Sequence, residues 1–504
     1  MMHRNLLSNF SVAALSRGQY QERLFSSGTA YWRTQLRSRS AWQNFLQSCS
    51  ASGIFLKYGI AVLCLALLCP DALHAEEKQH DPGKLVLHSA RRAYNDKDYT
   101  FAAFRFREFI TKYSTHPKVL HGKFGLGLTL VDAARGAEQD YSAAVSALTE
   151  VAKAGKFLER PLGIYYLGLA FRGLGDLTLA KAKAAGDKGA AHLATASNHF
   201  VAAAGQFQAA AEAFKKGAKA PPDNKTISSD WQWVARSNCE QLDALQRAGK
   251  VKEALAAAEA LLAQTWVKRS RFYDLAQYYR GFASFQSGNY AAVIDSLSTI
   301  RLFSDITFRP YGDHAHYLLG RSHHLSKNQE TALDAYELVI SRYEKSKKEA
   351  EATLKKPDAL KDKPEKQAAL EALLKSPEPE HVERSRFYRC AVLFEGRENE
   401  KALEALNAFI ESNKESLLLP DALLRKAVCL WNLKKYPECI EILKPLAEKP
   451  PRIADEAHLW MGKAQLSTAD KTKPEAYTAS LKAAMDSFNK ALAILKPLTA
   501  TDPK

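Results

Sequence analysis

From residue 84 onward, apolar residues recur three and four apart, interrupted by short turns built on Gly, Asn or Asp. That period places one apolar stripe on each of a series of helices. Period-two runs of Val, Ile and Thr closed by tight turns, the mark of strands, are missing. The pattern predicts an all-α chain whose helices pair into hairpins. One spacing repeats: a small residue, a small or β-branched one twelve later, then bulky apolar residues four and seven beyond that. It reads Ala90, Ala102, Phe106, Phe109; Gly281, Val293, Leu297, Ile300; and Gly320, Ala332, Tyr336, Val339. It returns as Cys390, Ala402, Leu406, Phe409 and as Ala427, Cys439, Leu443, Leu446, with a weaker copy in Leu242, Ala254, Ala258, Leu261. Close packing of two antiparallel helices explains the small residues, which are expected to face each other where the axes approach. The bulky pair then lies on one stripe, turned toward the next hairpin. A hairpin this small cannot bury its apolar face alone, so the hairpins are expected to stack.

Further features follow the same phase: Leu167-Gly168 with Phe171 and Gly175-Asp176, Gly288-Asn289-Tyr290, Leu319-Gly320, Lys435-Tyr436 and Met461-Gly462, with turns at Asp98-Tyr99 and Asp140-Tyr141. In these residues the chain resembles the tetratricopeptide repeat family, and within it the exported bacterial envelope members. The resemblance implies an α-α superhelix of about nine hairpins between Lys84 and Pro497. The repeat is longer than the family's period of about 34 residues, since Gly281 to Gly320 is 39 residues and Cys390 to Ala427 is 37. Two units carry inserts, an Ala-rich helical stretch from Ala180 to Ala220 and the segment Ser467–Thr478. Residues 344–380, rich in Lys, Glu and Pro, read as a solvated helical linker between an array over 76–343 and a second over 381–504. The chain stops just after a second helix without an evident polar cap, so either a partner covers that end or the sequence is an incomplete fragment.

The N-terminus stands apart. Residues 1–53 are rich in Arg and Ser, and Glu22 is their single acidic residue. This extension reads two ways, as a targeting preface or as a start assigned upstream of the true one. Lys57, the apolar run 58–69, Pro70 and the small exit residue Ala75 describe an export signal over 54–75, with cleavage after Ala75. The run is short for a membrane span; the alternative is an uncleaved anchor at 54–69. Leu precedes both Cys64 and Cys69, so no lipid-attachment motif is evident. The expectation is export to the periplasm or cell envelope.

Composition changes this picture little. The formal charge of +16 over 504 residues invites a nucleic-acid reading. Seven basic and two acidic residues belong to the leader, and the remaining +11 is interleaved with acid, as at 345–366. No nucleic-acid partner is expected. Seven Cys exclude a disulfide-stapled scaffold. Of the cysteines after the leader, Cys390 and Cys439 occupy small-residue positions, and Cys429 with Cys439 would bridge one hairpin if geometry allowed. His316 and His323 share a helical face beside His314 and His324, and His192 and His199 repeat the spacing. Both sets read better as interior residues than as metal ligands. Phosphate-cradling glycine loops, His-Glu-x-x-His and Gly-x-Ser-x-Gly are absent. No enzyme activity, cofactor, metal or small-molecule substrate is expected.

The resemblance implies that the first helices of successive hairpins line a groove for a protein or peptide. Motif phase then places Tyr165, Tyr278, Phe285, Tyr317, Phe387, Phe394 and Trp431 along it, with Arg91, Arg321 and Arg384 interspersed. Aromatics and Arg dominate binding hot spots, although aromatics at helical spacing also fill cores. The Asn and Lys clamp for a C-terminal carboxylate is missing: Leu128, Leu169, Phe282, Ala391 and Val428 stand at its positions. The leading reading is a non-enzymatic scaffold for protein–protein interaction. Its alternative is a docking component of an outer-membrane or secretion machine, associated peripherally with the membrane.

Overall fold

The computed structural model describes residues 81–133, 137–218, 227–300, 309–356, 360, 364–448 and 451–501. The leader, residues 1–75, and the export signal expected over 54–75 lie outside them. Among the described residues the regular structure is helical, and nine hairpins follow one another. They are α1 (Pro82–Asn95) with α2 (Tyr99–Lys112), α3 (Val119–Ala133) with α4 (Glu138–Lys153), and α5 (Arg160–Ala184) with α6 (Ala190–Gly217). Next come α7 (Ser229–Arg247) with α8 (Val251–Leu262), α9 (Tyr273–Gln286) with α10 (Tyr290–Leu297), and α11 (Arg309–Leu325) with α12 (Gln329–Leu354). After a short α13 (Pro364–Lys375) follow α14 (Glu380–Glu395) with α15 (Asn399–Ser412), α16 (Leu419–Asn432) with α17 (Tyr436–Ala447), and α18 (Pro451–Ser467) with α19 (Pro474–Thr501). The architecture is an all-α solenoid of hairpins.

The repeated spacing is the core. Ala90, Ala102, Phe106 and Phe109 are at most 1% exposed, and Gly320's partners Ala332, Tyr336 and Val339 match them. The contact at closest approach differs in one respect from the expectation. What lies on Gly320 is the Tyr336 ring, sixteen residues on, at 2.7 Å from where a Cβ would sit, and Leu297 lies on Gly281 at 2.6 Å in the same way. The glycine makes room for the bulky residue of the second helix, while the residue at twelve packs beside it. The inserts keep the same contact at longer range, Phe207 lying on Gly168 and Phe488 on Gly462.

Turns inside six of the hairpins end the first helix in one way. In α1 the N–H of Asp98 donates to the Ala93 carbonyl at 2.9 Å, and Asn328, Glu398 and Lys435 repeat the bond. The residue before each is left-handed: Lys97, Lys327, Arg397 and Lys434 have φ of 61–67°, a conformation costing about 1–2 kcal/mol outside glycine. Gly249 and Gly288 hold the equivalent place without that cost. Arg397→Gly and Lys434→Gly are each expected to stabilise by about 0.5 kcal/mol, since glycine's greater unfolded freedom offsets part of the gain. Calorimetry showing a lower midpoint for both would contradict this account.

The chain forms two compact units that divide between Tyr279 and Arg280, inside α9. Residues 344–380 therefore do not mark the division. α12 runs unbroken through Leu354, α13 packs on α12, and α12 also packs on α14. The expected helical character holds, but Ala350 and Leu360 are buried. The Lys/Glu composition that reads as a linker is the solvated side of helices that also have an inner side. Cys239, Cys390, Cys429 and Cys439 are free and buried. Cys429 belongs to the cluster around Phe387 and Phe409, whereas Cys439 belongs to the one around Leu424 and Leu443, so the two do not bridge.

Candidate functional site

The first helices of the second unit carry a run of arginine–aromatic contacts. On α11, the Arg321 guanidinium carbon lies 3.6 Å from the centroid of the Tyr388 ring of α14. Its Nη1 is 3.1 Å from His324 Nδ1, and His324 Nε2 is 3.1 Å from Glu395 Oε2. Arginine can only donate, so Nδ1 accepts and Nε2 carries the proton offered to Glu395. That hydrogen bond holds Glu395 below the usual carboxylate range, against the opposing effect of burial. The Tyr388 ring is also 6.4 Å from Tyr317 and 6.3 Å from Tyr336. On α16, Arg425 stands over both Phe387 and Phe394, at 5.6 and 5.4 Å. Trp431 meets Trp460 of α18 edge-on at 5.4 Å, and Lys463 Nζ sits 4.0 Å from the Trp460 ring. Arg321, Tyr388, Phe394, Arg425, Trp431 and Trp460 are each half-buried. Such side chains are rigidly placed yet keep one side toward solvent, as binding anchors must.

The groove assignment made from motif phase needs correction at five positions. Tyr165, Tyr278 and Tyr317 are at most 1% exposed, Phe387 is 4% exposed and Phe285 6%. These rings fill the space between helices, because close packing leaves that phase of the first helix no path to solvent. Tyr317→Ala is thus a stability variant and not a test of binding. Arg321, Arg384, Phe394 and Trp431 remain half-buried. Arg384 is held by Glu380 at 2.6 Å. Tyr388, Arg425, Trp460 and Lys463 escape the motif reading. The signal for Tyr388 is its place four residues after Arg384, on the same helical stripe.

Of the histidines singled out by spacing, His314 and His324 are buried and His199, His316 and His323 half-buried, whereas His192 is exposed, against the expectation of an interior place. Burial pushes His314 down to about 3 and His316 and His381 to about 4, so these rings are neutral at neutral pH. Among the described residues no three His, Cys, Asp or Glu side chains gather to hold a metal, and no helix is long and apolar enough to cross a membrane. Burial raises Cys390 to about 12 and Cys429 and Cys439 to about 11, which suppresses the reactive thiolate.

In the first unit, Tyr165 belongs to a different construction that the sequence reading missed. Its hydroxyl donates to Glu240 Oε1 at 3.0 Å, and Glu240 is also hydrogen-bonded by Arg172. Arg172 lies 3.5 Å from Asp243, and Arg247 joins Asp243 at 2.8 Å to Asp176 at 3.0 Å. The network ties α5 to α7. Arg172-x-x-x-Asp176 and Asp243-x-x-x-Arg247 are visible as helical pairs, but nothing in either segment shows that they face each other.

No family model matches the chain, and no curated relative does. Among solved structures, it is similar to a Rap protein complexed with competence and sporulation factor, at 10% identity and TM-score 0.33, covering 82% of this chain and 99% of that one. It is similar to yeast Tom70 at 14% identity and TM-score 0.19, covering 84% and 97% respectively. It is similar to a circular tandem repeat protein with novel repeat topology at 12% identity and TM-score 0.19, covering 82% of this chain and 97% of that one.

 Scores this low carry no inference about function. The hairpin stack stands on this chain's own contacts, and its repeated spacing resembles that of tetratricopeptide repeats.

Proposed function

We propose that this protein is a non-enzymatic scaffold for protein–protein interaction, and that the first helices of its second unit form the binding face. The observation that carries the reading is the run of half-buried Arg–aromatic contacts from Arg321 and Tyr388 through Arg425 and Phe394 to Trp431 and Trp460. Stacked hairpins supply extended surfaces of this kind, and the side chains present suit a partner segment with apolar or aromatic residues. Export to the cell envelope belongs to the same proposal, supported by the charged, apolar and small-residue order of Lys57 to Ala75.

The test is photocrosslinking in the native envelope fraction, with a benzophenone side chain at Tyr388 or Trp460 and a control at Leu338, an exposed residue of α12. A discrete protein adduct from the first two positions and none from the third is the expected result. Arg425→Ala and Trp460→Ala are then expected to weaken that partner at least tenfold with helicity intact. Equal adducts from all three positions would overturn the face, and recovery of the protein with its leader in the cytoplasm would overturn export.

A further inference from the structure

Half-buried arginines in this chain are commonly answered by carboxylates. Arg172 and Arg247 have theirs in Glu240, Asp243 and Asp176. In the second unit Arg342 meets Asp313, Arg384 meets Glu380, and Arg386 meets Glu344 and Glu378. Arg321, on the arginine–aromatic face, departs from this rule: among the described residues it forms no ion pair. Its neighbours are the Tyr388 ring at 3.6 Å, the His324 ring, Tyr317 and Tyr336. Burial pushes the hydroxyls of Tyr317 and Tyr336 up, so these phenols carry no charge at neutral pH. Burial also works against the charge of Arg321, and no carboxylate is among the groups that oppose that effect. Glu395 stands beyond the His324 ring. Arg425, further along the face, forms no ion pair either, but Glu395 and Glu456 are near enough to feel its charge. A cation taken out of water is costly unless it is paired, and Arg321 lacks its anion.

The open edge of Arg321 suits one carboxylate. A separation of 3.6 Å is that of parallel stacking, which sets the flat face of the guanidinium on the ring and leaves its N–H donors in the plane beyond. Nη1 is engaged by His324, and the other donors are not shut away from water. The Tyr336 hydroxyl is different. It lies within reach of Arg321 on a side chain that is 0% exposed, yet no hydrogen bond of good geometry satisfies it. A carboxylate presents two acceptors to the parallel donors of a guanidinium. A dianionic phosphate calls for a second free cation, and the neighbouring Arg384 is already held by Glu380 at 2.6 Å.

We propose that Arg321 receives a side-chain carboxylate, of Asp or Glu, from the partner segment. The inference rests on the reading of this face as the one that binds the partner, and it gives that partner an acidic residue beside its apolar or aromatic ones. Arg321 is then a binding residue whose counter-ion arrives with the partner, at a cost in stability to the free chain. The probe is N-acetyl-glutamate methylamide, with N-acetyl-glutamine methylamide as its uncharged match. Each is titrated into the full chain carrying isotopically labelled arginine and followed at the Arg321 Nε resonance, which Arg321→Met identifies by its loss. A saturable shift is expected with the glutamate compound, and binding about tenfold weaker with the glutamine one. Inorganic phosphate is expected to bind no more tightly than the glutamate compound. Amide exchange in α11 and α14 is expected to change less than about tenfold in Arg321→Met, because removing an unpaired charge strands no partner. Absence of a saturable shift, equal binding of the two compounds, tighter binding of phosphate, or a larger acceleration of exchange would overturn the proposal. In the envelope fraction, Arg321→Met is expected to lower the photoadduct yield at Trp460 about tenfold. An unchanged yield would overturn the carboxylate contact and leave the face in place. No adduct even from the parent would overturn the face, and with it the partner as the source of the carboxylate.

Discussion

Arg172→Met is expected to speed amide exchange across α5 and α7 about a hundredfold. Arg172 is the main cation on Glu240, whose side chain is 10% exposed, and it stands beside Asp243 at 5%. Removing one member of a buried pair costs about 3–5 kcal/mol, because the remaining charge stays out of water without its partner. The low end applies here. Arg236 remains 3.9 Å from Glu240, and Arg247 keeps its bond to Asp243. Exchange is the suitable readout, since a chain of two units need not unfold in one step and exchange reports the opening of the helices themselves. Arg172→Met combined with Glu240→Leu removes both charges and is expected to recover most of the loss. Exchange in α5 and α7 that is unchanged by the single substitution would show that the network contributes little.

Asp132→Asn is expected to flatten the loss of stability between pH 5 and pH 8. Asp132 accepts a 2.6 Å hydrogen bond from the Tyr94 hydroxyl, while its Oδ1 is shut away from water without a partner. Burial raises its carboxyl to about 7, against the opposing effect of Tyr94. The folded-state value is therefore above the unfolded one. The protonated carboxyl favours the folded state fully below about pH 4, and that contribution is lost as pH rises through 7. The rise from the ordinary carboxylate value to about 7 corresponds to an upper bound of about 4 kcal/mol. Asn keeps the acceptor for Tyr94 and carries no charge to bury, so the variant is expected to exceed the parent in stability at pH 8 by more than at pH 5, and to match it only below about pH 4. Denaturant midpoints of exchange in α3 at the two pH values decide it. A parent whose stability rises from pH 5 to pH 8 in this helix would contradict the assignment.

Much of the fold was legible because a solenoid is local. Each hairpin is a few dozen residues long, and small residues twelve apart with bulky ones after them leave their trace within one segment. Ala90 to Phe109 and Gly320 to Val339 therefore mark core positions that the structure buries. The candidate site was legible only in part. Motif phase identifies the helix that lines a face, but it does not say which side chains on that helix the neighbours cover. Tyr317 and Phe387 are lost to the interior for that reason, whereas Tyr388, one residue beyond Phe387, keeps an exposed edge.

The sequence by itself determined the helical period, the pairing of helices and the turn chemistry, since all three depend on residues close along the chain. Only the tertiary structure decided the division inside α9, the Arg172–Glu240 network and the stacking of Arg321 on Tyr388. Those features join residues separated by about seventy positions or depend on where whole hairpins come to rest. A side chain's solvent exposure and its charge partner are properties of the packed neighbours, and no local spacing carries them.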